Sequence, residues 1–148
     1  HTLVSLCAEW CVQIQVNLDG LSLPIKKLKG SDPVASLDFS RKGLSSTSAI
    51  VIACLIRDNA SVTSVNLLRN EFDTEAASML LKVKEQKPML RTLCGLTHAE
   101  TELNYQYNGL GPADAMLLAP ELQVMTSLTY LWYKLRTQTP SLRHHCGG

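Results

Sequence analysis

A repeat with a period of about 28 residues is the feature that most constrains how this chain can fold. Four aligned segments have apolar central residues at Leu37, Val65, Leu103 and Leu131. The first and last intervals equal one period, and the middle interval is longer by about ten residues. Each segment alternates apolar and polar residues, as a strand with one buried face does. A chain with such a period folds by stacking copies of one supersecondary unit. The segments read VASLDFSRKGL, VTSVNLLRNEF, ETELNYQYNGL and LTYLWYKLRTQ.

A second aligned stretch follows each of the first three segments. Its apolar residues recur at helical spacing and coincide between units, so each unit reads strand, turn, helix and return loop. The expected strands lie near residues 37–39, 65–67, 103–105 and 131–133. The expected helices lie near residues 46–57, 74–85 and 112–124, after the start signals Ser45, Asp73 and Gly111-Pro112.

This pattern resembles the leucine-rich repeats of the ribonuclease-inhibitor-like class, whose signature is LxxLxLxxNxL followed by a helix. The resemblance covers residues 34–133, and the stretch GLGPADAMLLAPEL is similar to the repeats of protist and algal members. It implies an α/β solenoid, a short horseshoe with parallel strands on its concave side and helices on its convex side.

An asparagine follows the strand in two of the four segments, at Asn70 and Asn108. A sharp turn from strand to helix leaves backbone donors and acceptors inside the bend, and a buried amide can satisfy both kinds. The resemblance implies that these two asparagines form a ladder between neighbouring repeats. Lys42 and Arg136 stand at the equivalent positions of the other two segments, and their side chains only donate. The alternative is that Asn70 and Asn108 are ordinary exposed turn residues.

The pattern is interrupted at three places. Residues 1–33 read as an irregular N-terminal cap, in which Trp10 is expected to cover the open end of the stack. Residues 90–99 read as an insertion before the third strand, because so short a segment cannot hold a strand and a helix. Residues 134–148 read as an irregular tail. The chain opens on His1 rather than Met, which favours a fragment of a longer protein.

The sequence contains no motif that would support catalysis. P-loop, GxGxxG, HExxH and GxSxG patterns are absent, so we expect a non-enzymatic protein with no catalytic, cofactor-binding or metal-binding residues. Asp114 and Glu121 are interpreted as solvated charges on one helix, and His98 as lacking partners for catalysis. A zinc or thiol site is an alternative without the spacing of a structural zinc site. It would use His1, Cys7, Cys11, His144, His145 and Cys146.

Charge and hydropathy exclude two kinds of partner. The net charge is +1 with no basic tract, so no electrostatic surface for nucleic acid is indicated. The longest apolar run, residues 49–56, is too short to span a bilayer. Five irregularly spaced cysteines and no visible signal peptide favour a reducing, cytoplasmic setting. The expected partner is another protein, bound by the concave strand face.

Strand alternation predicts which side chains face the concave surface. That surface is polar, with aromatic residues concentrated on the last strand, and Trp, Tyr and Arg are the residues that most often carry interface energy. Leu68 is also expected to point outward there. The candidate protein-binding residues are Asp38, Asn66, Arg69, Asn104, Tyr107, Tyr130 and Trp132.

Two functional hypotheses follow. In the first, the chain is a non-catalytic protein–protein interaction module that binds through the concave strand face, with Tyr130 and Trp132 as the main contact. In the second, it is a structural fragment of a larger leucine-rich repeat protein with no binding activity of its own. The aromatic residues then merely cover an unfinished end.

Overall fold

The structure, a computed structural model, describes residues 17–135, in which short strands alternate with helices. The predicted positions of Trp10, Arg136 and the terminal cysteines and histidines lie outside these residues. The strands are β1 (Asn17–Leu18), β2 (Leu21–Ser22), β3 (Ser36–Asp38), β4 (Ser64–Asn66), β5 (Glu102–Leu110) and β6 (Tyr130–Leu135). The helices are α1 (Ile25–Lys29), α2 (Ser46–Arg57), α3 (Thr74–Gln86) and α4 (Pro112–Val124). The predicted helices and repeat strands are confirmed.

The three longer helices begin where the sequence predicts. Their N-terminal flanking residues are Ser45, Asp73 and Gly111. The Asp73 carboxylate accepts a hydrogen bond from the backbone N–H of Ala76 at 2.7 Å, which satisfies one of the free donors of the first turn of α3. Ser45 instead donates through its N–H and its hydroxyl to Asp19, both at 2.9 Å. These bonds attach the β1–β2 turn to the start of α2.

The repeat strands pair in parallel at the predicted offset. Leu37 lies opposite Val65 where β3 meets β4, and Leu103 lies opposite Leu131 where β5 meets β6. Both pairs are separated by one full period of the sequence, so the period is also the register of the sheets. All pairing among these four strands is parallel, whereas β1 and β2 form an antiparallel hairpin.

The predicted insertion supplies the neighbour of β4. Thr92 forms a parallel bridge with Ser64, which again lies one period earlier in the sequence. The N–H of Arg91 donates to the carbonyl of Thr63 at 2.7 Å, and that of Val65 donates to Thr92 at 3.0 Å. The spacing of one period between paired residues therefore continues from β4 to the segment around Thr92. A new pair of repeat strands then begins with β5. The described strands consequently form two-stranded sheets rather than one continuous sheet.

The core lies between the strands and the helices. The helices pack in chain order, and their buried residues join those of the strands in one apolar cluster. Ile52, Leu80 and Leu118 occupy equivalent helical positions and are all buried. The prediction that Leu68 points outward is wrong, since it is buried: β4 ends at Asn66, and strand alternation stops there. No helix in residues 17–135 is long and apolar enough to cross a membrane.

Candidate functional site

The exposed aromatic residues lie on β5 and β6. Tyr107 is 93% exposed, Tyr130 57% and Trp132 38%. The rings of Tyr130 and Trp132 stack, with centroids 5.5 Å apart and planes inclined by 15°. Two stacked rings give a broad apolar surface whose side chains already restrict each other's rotation. We call Tyr130 and Trp132, which stack on one side of β6, the aromatic patch.

The two faces of β6 differ less in solvent exposure than the sequence predicts. Strand alternation assigns Leu131 and Tyr133 to the buried side, opposite Tyr130 and Trp132. Both are exposed, at 36% and 44%. Alternation therefore does not separate a buried side from an exposed side on this strand.

Polar candidate residues lie on β3, β4 and β5. Asp38 lies opposite Asn66 in the β3–β4 register, and Asn104 lies opposite Trp132 in the β5–β6 register. Asp38 and Asn104 are exposed, and Asn66 is half-buried. Burial acts to raise the pKa of Asp38, but hydrogen bonds from the hydroxyl and N–H of Ser40, together with the charges of Lys42 and Arg69, outweigh it, so the pKa is lowered. The carboxylate therefore keeps its negative charge on this face.

Two arginines occupy equivalent positions after β3 and β4. Arg41 and Arg69 lie one period apart, and both have left-handed backbones, with φ of 56° and 65°. The N–H of Arg41 donates to the carbonyl of Leu68 at 3.2 Å, and that of Arg69 donates to Asp114 Oδ1 at 2.9 Å. Arg41 Nη2 also donates to Asn108 Oδ1 at 3.1 Å. This bond connects the end of β3 to β5.

Asn70 is buried in the bend after β4 and makes four hydrogen bonds. Its Oδ1 accepts from the N–H groups of Lys42 and Leu44, both at 3.1 Å. Its Nδ2 donates to the carbonyls of Phe39 at 2.9 Å and Leu67 at 3.0 Å. Three of these partners belong to the preceding unit. Asn70 thus makes the bonds between units that the resemblance implies and is not an exposed turn residue.

Asn108 is placed differently. It is half-buried, and its Nδ2 donates to the carbonyl of Asn104 on its own strand at 3.0 Å. Its Oδ1 accepts from the side chain of Arg41. Asn108 lies in the irregular part of β5, where the register on β6 shifts between Tyr105 and Leu110. Of the two predicted ladder residues, Asn70 therefore makes the bonds expected of a ladder and Asn108 does not.

The interpretation of Asp114 and Glu121 as solvated charges is wrong. They are 3% and 1% exposed, because the face of α4 that carries them packs inward. Asp114 Oδ2 accepts from the N–H of Gly111 at 2.8 Å, which closes the first turn of α4. Glu121 accepts from the Thr92 hydroxyl at 2.7 Å and from the N–H of Leu93 at 2.8 Å. The sequence holds a signal for this: apolar residues at 117 and 118 share a helix face with 114 and 121.

Glu121 is the centre of a small polar cluster. His98 Nε2 lies 3.1 Å from Glu121 Oε2. Burial, followed by the nearby charge of Glu121, raises the pKa of the Cys94 thiol well above its usual value. The thiol stays protonated, so it is a poor nucleophile. No group of three or more His, Cys, Asp or Glu side chains in residues 17–135 could hold a metal ion.

Comparison with known proteins adds no identification: no family model, curated protein or solved structure matches this chain.

Proposed function

We propose that this chain is a non-catalytic protein–protein interaction module of the leucine-rich repeat type, which binds its partner through the strand face. The observation that carries the proposal is the stacked and exposed pair Tyr130–Trp132 on β6. The concave strands and convex helices of a solenoid, and a cytoplasmic setting, belong to the same proposal. The one-period register of β3 with β4, and of β5 with β6, supports the solenoid.

The aromatic patch has the composition of an interface centre. Tyr and Trp carry large apolar area with few rotatable bonds, so little conformational entropy is lost when a partner covers them. Polar residues at Glu102, Asn104 and Lys134 border the pair and are exposed. An apolar centre with a polar rim is the usual arrangement at protein interfaces. The partner would therefore present an apolar side chain to the ring faces.

A second candidate function has its own support. Leu131 and Tyr133 are exposed on the other side of β6, where a further repeat would cover them in a longer protein. In that case β6 is the junction to another repeat, and the chain is a structural fragment without a binding activity of its own. The two candidates predict different effects for the same substitution.

The test combines peptide selection with a single variant. Peptides would be selected from a random library on the purified chain, and their affinities measured by fluorescence anisotropy. Trp132→Ala should weaken the selected peptides by about 2 kcal/mol, roughly 30-fold. It should change the free energy of unfolding by less than about 1 kcal/mol, since the side chain is already partly exposed. Val124→Ala is the matched control, because Val124 is an exposed apolar residue on α4.

Two outcomes would contradict the proposal. A selection that yields no peptide sensitive to Trp132→Ala removes the aromatic pair as the anchor. A variant that loses about 2 kcal/mol of stability while its folded fraction still binds the peptides normally supports the structural fragment instead.

A further inference from the structure

A groove lies where the last turns of α3 meet α4, on the helix side of the core. Its volume is about 320 Å³, which is within the range of small-molecule sites. Its apolar lining residues are Leu81, Pro88, Leu90 and Pro120. Leu90 is buried and Leu81 half-buried, so part of the groove wall belongs to the packed core. The proline rings restrict the backbone, so little freedom is lost when a ligand contacts them.

Three cations and one carboxylate line the same groove. They are Lys84, Lys87, Arg91 and Glu85. None of the four takes part in an ion pair within residues 17–135. Three cations less one carboxylate leave a formal charge of +2 on the lining residues. The groove therefore joins apolar walls to an excess of positive charge.

Lys87 holds one of these charges in place. The residue is only 9% exposed, and its ammonium donates to the backbone carbonyl of Asn59. A buried charge destabilises a fold unless an opposite charge compensates it. A carbonyl oxygen is only a partial negative charge, so a positive potential extends into the groove. Two other cations are free to reach a ligand there, since Lys84 is half-buried and Arg91 is exposed.

The end of α3 accounts for only part of this arrangement. Cations near a helix C-terminus interact favourably with the helix dipole, and Lys84 and Lys87 lie in that position. Arg91 follows the turn after α3, and its N–H donates to the carbonyl of Thr63 at 2.7 Å. The dipole effect falls off within one turn, so it does not explain a guanidinium at Arg91. It does not explain the apolar walls either.

We propose that this groove binds a small aliphatic carboxylate, whose chain contacts the apolar walls and whose head group contacts Lys84 and Arg91. An aliphatic acid carries the two properties that complement the groove, an apolar body and one negative charge. Ammonium and guanidinium groups form charge-assisted hydrogen bonds with a carboxylate. The site is separate from the aromatic patch, because residues of α3, α4 and the turn after α3 form it. It would add a small-molecule ligand to a protein-binding module.

The probe is sodium octanoate, added to the isotope-labelled chain and followed by nuclear magnetic resonance. We expect saturable shifts of the backbone N–H signals within residues 81–91, and an affinity that falls with added salt. Hexanoate should bind about tenfold more weakly, because each methylene removed from water contributes up to about fourfold in affinity. Octanamide has the same chain without the charge and should also bind about tenfold more weakly than octanoate.

Variants test the two cations directly. Lys84→Gln/Arg91→Gln should weaken octanoate binding by about tenfold and leave octanamide binding nearly unchanged. Lys26→Gln/Lys27→Gln removes the same charge from α1 and should leave the binding of both compounds nearly unchanged. Arg91→Gln alone should also weaken octanoate binding, and Arg91 is exposed, so this variant tests the site even if the double variant unfolds.

Four results would overturn the inference. The first is the lack of any saturable shift with octanoate, because the cations would then serve only the protein itself. The second is equal binding of octanoate and octanamide, and the third is an equal loss of octanoate binding in the α1 variant. The fourth is loss of octanoate binding in Trp132→Ala, because the acid would then occupy the aromatic patch. The proposed function is tested separately, by the selected peptides on Trp132→Ala.

Discussion

Two bends of this chain satisfy their buried backbone groups in different ways. In the regular unit, Asn70 lies in the bend itself and uses one neutral amide to accept two bonds and donate two. In the irregular segment beside β4, the polar partner is Glu121 of α4, which lies one period beyond Leu93. A carboxylate only accepts, so the segment must supply every donor. The difference teaches that both bends are held by contacts about one period long, but the insertion uses a carboxylate where the repeat uses a neutral amide.

The contact of Glu121 depends on the Thr92 hydroxyl, which both donates and accepts hydrogen bonds. Thr92 Oγ1 donates to Glu121 and accepts from the N–H groups of Cys94 at 3.0 Å and Leu96 at 3.1 Å. These bonds therefore hold the path of the chain from Thr92 to Leu96, beside β4. Because Glu121 is buried and charged, losing its contacts should cost more than losing those of a neutral amide.

Removal of the buried carboxylate should have the largest effect. Glu121→Ala leaves the hydroxyl of Thr92 and the N–H of Leu93 without their acceptor, and we expect the free energy of unfolding to fall by about 3 kcal/mol. Urea denaturation followed by circular dichroism measures this loss. Glu85→Ala is the control, since Glu85 is exposed on α3 and should change stability by less than about 0.5 kcal/mol. Equal midpoints for the two variants would show that Glu121 does not hold the insertion.

Removal of the amide should have the next largest effect. Asn70→Ala strands groups of two successive units, and we expect a loss of about 2 kcal/mol. Asn108→Ala provides the matched comparison, because Asn108 is half-buried and bonds within its own strand. Its loss should be about 0.5 kcal/mol. Both values come from the same urea experiment. If Asn70→Ala leaves the free energy of unfolding unchanged, or if Asn108→Ala lowers it by the same amount, the two asparagines do not differ in their structural role.

The repeated part of the fold could be predicted from sequence because its determinants are local and periodic. Each helix start carries its own signal, and the period of the sequence fixes the register of β3 on β4 in advance. The placement of the segment around Thr92 could not be predicted in the same way. It depends on Glu121, a charged residue whose usual place is the surface, and the burial of Glu121 depends on how α4 packs.

In the candidate site, too, some features could be predicted from the sequence and others could not. Exposure of Tyr130 and Trp132 follows from strand alternation alone, and the structure has both exposed. Leu131 and Tyr133 do not follow the rule, since both are exposed although alternation assigns them to the buried side. The lack of an acceptor at Arg69 Nε depends on which side chains the fold brings near, which no single stretch of sequence contains.

The smallest expected effect is a dependence of stability on pH that arises in the Glu121 region and not in the bend at Asn70. Burial raises the pKa of Tyr105 to about 12 from 10.0, and burial with Glu121 raises the pKa of Cys94 well above 9.0. Both acids belong to the Glu121 region. The folded state binds their protons more tightly than the unfolded state, so their stabilisation is complete below the unfolded pKa values. It is lost as pH rises from about 9 through about 12. The urea midpoint of the wild-type chain should therefore be lower at about pH 11 than at about pH 8.

Variants identify which groups cause that fall. Many lysines also lose their protons in this range, so the slope must be compared between chains rather than taken alone. Tyr105→Phe and Cys94→Ala each remove one linked proton and should reduce the loss of stability between the two pH values. Tyr107→Phe is the control, since Tyr107 is exposed on the same strand as Tyr105 and its removal should leave the slope unchanged. If all three variants keep the wild-type slope, alkaline loss of stability arises elsewhere, and the Glu121 region is no more sensitive to base than the bend at Asn70.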